Sequence, residues 1–141
     1  MTDPKPIIVD VDGVLADFVF GFTALARDMG AEIVPWGTHH QPTWDGFAGV
    51  DVILENACWK RIRHSADFWL GLSPLCDLEP LNTVKRDVYF VTSRPGQTAR
   101  AQTARWLIRH GVYAPTVVIS SAKGDVARAI NAHALIDDKA G

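Results

Sequence analysis

The chain has 141 residues, 14 basic and 16 acidic, giving a formal charge of −2, and 48% of it is hydrophobic. That length fits one domain with a real core and room for a small insertion, and the hydrophobic share is that of a globular rather than a disordered chain. The near-neutral balance excludes whole-protein attraction to polymeric nucleic acid or an anionic membrane surface, and no apolar run approaches the ~20 residues of a membrane-spanning helix.

In chain order, the first element is a strand over about residues 6–11. Ile7, Ile8 and Val9 form an apolar, β-branched run that ends directly in Asp10 and Asp12. Residues 13–30 follow as a predicted helix: Leu15, Phe18, Val19, Phe22, Leu25, Ala26 and Met29 recur at helical spacing, with Gly30 as the stop. Residues 31–50, rich in Pro, Gly and Trp, show no regular period. Residues 51–65 read as a second helix with Asp51 as N-cap, and 66–81 as an irregular aromatic stretch. Regular alternation resumes at Asp87: a strand over 87–95, an amphipathic helix over 96–111 closed by Gly111, a strand over 114–121, a short helix over 122–133 and a last strand over 134–138. This alternation predicts a parallel sheet with helical crossovers.

Three predicted strands end in polar groups: Asp10 and Asp12, Thr92 and Ser93, then Asp137 and Asp138. Ligands of such sheets bind beyond the carboxyl ends of the strands, so these residues gather where a site belongs. Several carboxylates in one pocket raise one another's pKa unless a cation neutralises them, and a hard divalent ion such as Mg²⁺ takes a few carboxylates plus a substrate phosphate. Asp10 and Asp12 are two apart, so an extended strand would face both the same way: one attacks a bound electrophile while the other handles a proton. Gly13 lets the chain turn close to a ligand. Lys123 opens the fourth predicted helix, where an ammonium neutralises carboxylate and phosphate oxygens, and Thr92 offers a hydroxyl. Together they make a phosphoryl-transfer set with a carboxylate nucleophile.

"DVDGVLADF", "FVTSR", the Lys of "SSAKGD" and "LIDD", in this order, resemble the four motifs of the haloacid dehalogenase (HAD) superfamily of phosphohydrolases. The resemblance implies an α/β, HAD-like Rossmannoid parallel sheet flanked by helices, built from residues 1–17 and 87–141, with a small, mostly helical cap inserted as residues 18–86. It implies Asp10 as nucleophile and metal ligand, and Asp12 as general acid/base lending its backbone carbonyl to the metal. Thr92 and Lys123 would bind the phosphoryl group. Asp138 would bind Mg²⁺ directly, with Asp137 acting through water or orienting Lys123.

Within the superfamily, "DVDGVLADF" and the long insertion look most like the 5'(3')-deoxyribonucleotidases, and "DFWLGLSPL" is similar to the aromatic stretch that closes their cap. Phe18 sits where that family places a phenylalanine against the nucleobase, and Trp69, or its neighbour Phe68, falls near a second base-contacting aromatic. The sequence departs from the family at Ser121, where an Arg is frequent, and at Arg94, where a Pro is frequent, so Ser93 and Arg94 join Thr92 and Lys123 as candidate phosphate-binding residues. Family members also continue beyond the final "DD", whereas this sequence stops at Gly141; a truly absent tail would leave part of the site open.

The resulting expectation is a Mg²⁺-dependent phosphatase of a nucleoside monophosphate, with another small phosphate ester as an alternative and a catalytically inactive binding module as a third. Its partner is a small phosphorylated molecule, not a membrane or polymeric nucleic acid, and a homodimer stays open. The N-terminal "MTDPKPIIVD" lacks the basic start and apolar stretch of a signal peptide, setting the expectation of a cytoplasmic protein. Cys58 and Cys76 match no metal-ligand spacing and read as reduced thiols. His39 and His40 read as loop residues, and Lys60, Arg61 and Arg63 as a solvated helix face.

Overall fold

A computed structural model describes residues 4–31 and 52–138. The expectations for His39, His40 and the Asp51 cap lie outside those residues. Four strands, β1 (Ile7–Val9), β2 (Val88–Thr92), β3 (Thr116–Ile119) and β4 (Ala134–Ile136), form one sheet in the order β3-β2-β1-β4. Every pairing is parallel. The helices are α1 (Phe18–Asp28), α2 (Val52–His64), α3 (Ala99–Arg109) and α4 (Lys123–Ala129), with a 3₁₀ turn over Glu79–Thr83. The chain is therefore α/β, a four-stranded parallel sheet flanked by helices. Among the described residues, no helix is long and apolar enough to cross a membrane.

The strand order places β1 centrally. The chain leaves it toward β2 and β3, then returns to pair β4 on the other side. β1 is accordingly buried throughout, which explains its unbroken Ile-Ile-Val run. β4 is an edge strand with all three residues exposed.

The first helix starts later than its periodicity predicts. Residues 13–16 form a turn in which the Leu15 and Ala16 amides both donate to the Val11 carbonyl. The helix begins only after Asp17, whose carboxylate caps it by accepting from the Phe20 amide. Leu15 and Ala16 are buried in the common core, so apolar spacing there reported core contact rather than helix. Helices α1, α3 and α4 end alike: the amides of Gly30, Gly111 and Asn131 return to the carbonyls of Arg27, Ile108 and Arg128, and the next amide in each case reaches one residue further back.

One hydrophobic cluster joins both stretches of sequence. It contains Phe22, Ala26, Cys58, Ile62, Trp69 and Leu72 from the inserted stretch together with Val9, Phe90, Ala99, Trp106 and Leu107. Helix α3 is the join. Its buried face carries Ala99, Gln102, Thr103, Trp106 and Leu107, an i, i+3, i+4, i+7, i+8 stripe. Gln102 accepts at Oε1 from the Trp69 and Leu70 amides and donates from Nε2 to the Ser65 carbonyl, while the Trp106 indole donates to the Leu72 carbonyl at 2.7 Å. Residues 65–72 are thus hydrogen-bonded directly to the helix that follows β2.

Candidate active site

The pairing of β1 with β4 sets Val9 beside Ile136, so the next residues, Asp10 and Asp137, emerge from neighbouring strand ends. One carboxylate oxygen each from Asp10, Asp137 and Asp138 lies within 4.8 Å of the others. Lys123, the first residue of α4, places its ammonium 3.1 Å from Asp10 and 3.8 Å from Asp137. Asp10 is 4% exposed, and its Oδ1 accepts from the Val11 amide at 2.8 Å.

The electrostatics follow from that crowding. Burial, and then the hydrogen bond with Asp137, push the Asp10 carboxyl up to about 7, against the opposing pull of Lys123. Asp138 is also raised, first by burial and then by Asp137. Three carboxylates with one ammonium leave uncompensated negative charge, and an all-oxygen donor set of this kind suits a hard divalent cation such as Mg²⁺. The residues present therefore fit the expected ion. Gly13 makes the cluster possible: it has φ +79°, and a Cβ there would collide with the Asp138 carboxylate.

Asp12 lies beyond β1, which ends at Val9, and its carboxylate meets Arg94 whereas that of Asp10 meets Lys123. The Asp12 carboxylate is gripped by Arg94, with Nε 3.0 Å from Oδ2 and Nη2 2.8 Å from Oδ1. Arg94 is 2% exposed, and its remaining nitrogen, Nη1, donates to the Thr103 hydroxyl at 2.9 Å. All three guanidinium nitrogens thereby donate within the protein, to Asp12 and Thr103, whereas the sequence led to the expectation of a phosphate ligand.

Thr92 is buried at the end of β2, and Ser93 beside it is exposed. Trp69 also departs from expectation. It is 2% exposed, its indole donates to the Pro95 carbonyl, and the Arg94 guanidinium carbon lies 4.6 Å from its ring centroid. No face of that ring is left for a nucleobase, so Trp69 is a packing residue. Phe18 is half-buried and stacks on Trp59 at 5.6 Å and on Trp69 at 5.8 Å.

Gln102 and Thr103 were missed by the sequence reading. Their signal was present: two polar residues inside the apolar stripe of an amphipathic helix, where an unsatisfied polar group is costly. No protein-family model matches the chain, and no curated protein matches it.

Proposed function

We propose that the chain is a Mg²⁺-dependent phosphatase of the HAD type, hydrolysing a small phosphate monoester through an aspartyl phosphate, with nucleoside monophosphates as the substrate class. One observation carries this reading: a buried carboxylate at the end of the central strand, 3.1 Å from an ammonium and clustered with two further carboxylates.

In this scheme an Asp10 oxygen attacks phosphorus, the ester P–O bond breaks, and Asp12 gives the departing oxygen its proton. Water then attacks the aspartyl phosphate while Asp12 takes back a proton, releasing phosphate and restoring Asp10. Lys123 and Thr92 hold phosphoryl oxygens. Mg²⁺ held by Asp10, Asp137 and Asp138, with the Asp12 backbone carbonyl, would offset the charge on the phosphoryl group.

The Asp12–Arg94 pair favours a second reading, a phosphate-binding module whose acid is tied down. A screen of phosphate release from nucleoside 5'- and 3'-monophosphates, sugar phosphates and glycerol phosphate, with Mg²⁺ or with chelator, separates the two. Release that requires Mg²⁺ is expected. Binding without release from any ester would sink the phosphatase reading and leave the module.

A further inference from the structure

We propose that Arg94 is a positioning residue that aims the Asp12 carboxylate at the leaving-group oxygen, an inference that rests on the phosphatase reading above.

An acid that must deliver a proton in the transition state has to be held in place. A misplacement of about 1 Å can cost ~10²-fold in rate. Asp12 sits on the turn after β1, and its side chain keeps 24% exposure while that of Arg94 is fully buried. The parallel Nε and Nη2 contacts fix both carboxylate oxygens at once, a two-point grip that sets orientation as well as distance.

The grip is itself anchored. Thr103 donates its hydroxyl proton to the Ala99 carbonyl at 2.7 Å, leaving the oxygen to accept from Arg94. Trp69 lies under the guanidinium and is tied through its indole to Pro95 and through its amide to Gln102. The restraint therefore runs from helix α3 through Arg94 to Asp12, and each link is a directional contact. Lysine cannot replace the fork, because an ammonium is a point charge on a flexible stem. A pair of this kind is a weak source of stability, since desolvation offsets the attraction. Its location beside the proposed acid gives it a positional consequence instead.

The test uses leaving-group chemistry. An alkyl phosphate such as glycerol phosphate expels a poor leaving group and needs its proton, whereas 2,4-dinitrophenyl phosphate expels a stable anion and does not. kcat/KM covers the steps through departure of the leaving group. With Mg²⁺ bound, Arg94→Met is expected to lower kcat/KM for glycerol phosphate by ~10²-fold and to change that for the dinitrophenyl ester far less. Arg94→Lys and Thr103→Val should show smaller losses with the same bias, and they carry the test if Arg94→Met does not fold by circular dichroism. Equal losses on both esters would make Arg94 purely structural, and a change confined to KM on both would return it to phosphate binding. Either result overturns the proposal while the phosphatase reading stands. Where glycerol phosphate is not a substrate, a nucleoside 5'-monophosphate serves as the alkyl ester of the comparison, and a wild-type protein that releases phosphate from none of these esters overturns both.

Discussion

Gly13 and Asp138 lie so close that a Cβ on Gly13 would collide with Oδ2 of Asp138. The turn after the first strand and the acid after the last are therefore fitted to each other. Gly13→Ala should displace Asp138 and force a side chain into a left-handed conformation costing roughly 1–2 kcal/mol. The expected outcome is a large loss of Mg²⁺ affinity by isothermal titration calorimetry with a modest drop in Tm. Unchanged Mg²⁺ affinity would remove Asp138 from the ion's ligand set.

Asp10→Asn keeps the volume and removes the proposed nucleophile. Phosphate release should vanish while the circular dichroism spectrum stays that of the wild type. Because burial opposes the charged form of Asp10, the metal-free variant should melt no lower than the wild type at pH 8. Retained turnover would exclude Asp10 as the attacking group.

The raised Asp10 carboxyl also fixes the sign of a pH effect. Folded, it titrates at about 7 rather than at its ordinary 3.8, so between those values the folded chain holds a proton that the unfolded chain has released. Its contribution is full below pH 3.8 and is lost as the pH rises through 7. Urea unfolding of the metal-free protein should show stability falling over that window more steeply in the wild type than in Asp10→Asn. Mg²⁺ should stabilise the wild type more at pH 8 than at pH 5. Parallel slopes for the two proteins would contradict the buried, crowded carboxyl.

Gln102 joins α3 to residues 65–70 through contacts to the Ser65, Trp69 and Leu70 backbone. Gln102→Leu leaves buried backbone groups without partners, each costing about 1–3 kcal/mol. Unfolding midpoints should fall accordingly, and the Trp69 and Leu70 amides should lose protection in hydrogen exchange. Full protection in the variant would mean that packing alone holds this segment.

Trp69→Ala tests a packing residue against a base platform. Loss of so large a buried side chain should cost roughly 3–5 kcal/mol, and KM for a nucleoside monophosphate and for glycerol phosphate should move together. A rise confined to the nucleotide would place the base against Trp69 after all.

How much of this was legible depends on where the information resides. Asp10, Lys123, Asp137 and Asp138 each sit at the end of an apolar strand or the start of a helix, and a parallel sheet brings such ends together whatever the details of packing. Their convergence could be read from order alone. The Arg94–Asp12 grip joins residues 82 apart and depends on how one guanidinium is packed by Trp69 and Thr103, which no periodicity encodes. Trp69 was ambiguous for a related reason: a tryptophan in an aromatic stretch looks the same whether its face meets a ligand or the core. The start of α1 lies later than the periodicity predicts because Leu15 carries a helical spacing on a turn, and the cap at Asp17 is evident only in the structure.

The acidic cluster is assembled from two unequally anchored parts. Asp10 extends from the fully buried β1, whereas Lys123, Asp137 and Asp138 belong to or adjoin α4 and β4, elements with no buried residue between them. Segments with so little buried apolar contact open at a small fraction of the global unfolding free energy. The α4–β4 unit can therefore detach as a separate foldon while the sheet core persists, taking with it the ammonium and two of the three carboxylates. The phosphatase activity proposed above is then expected to disappear on warming before the tryptophan-rich core unfolds, so that inactivation precedes denaturation.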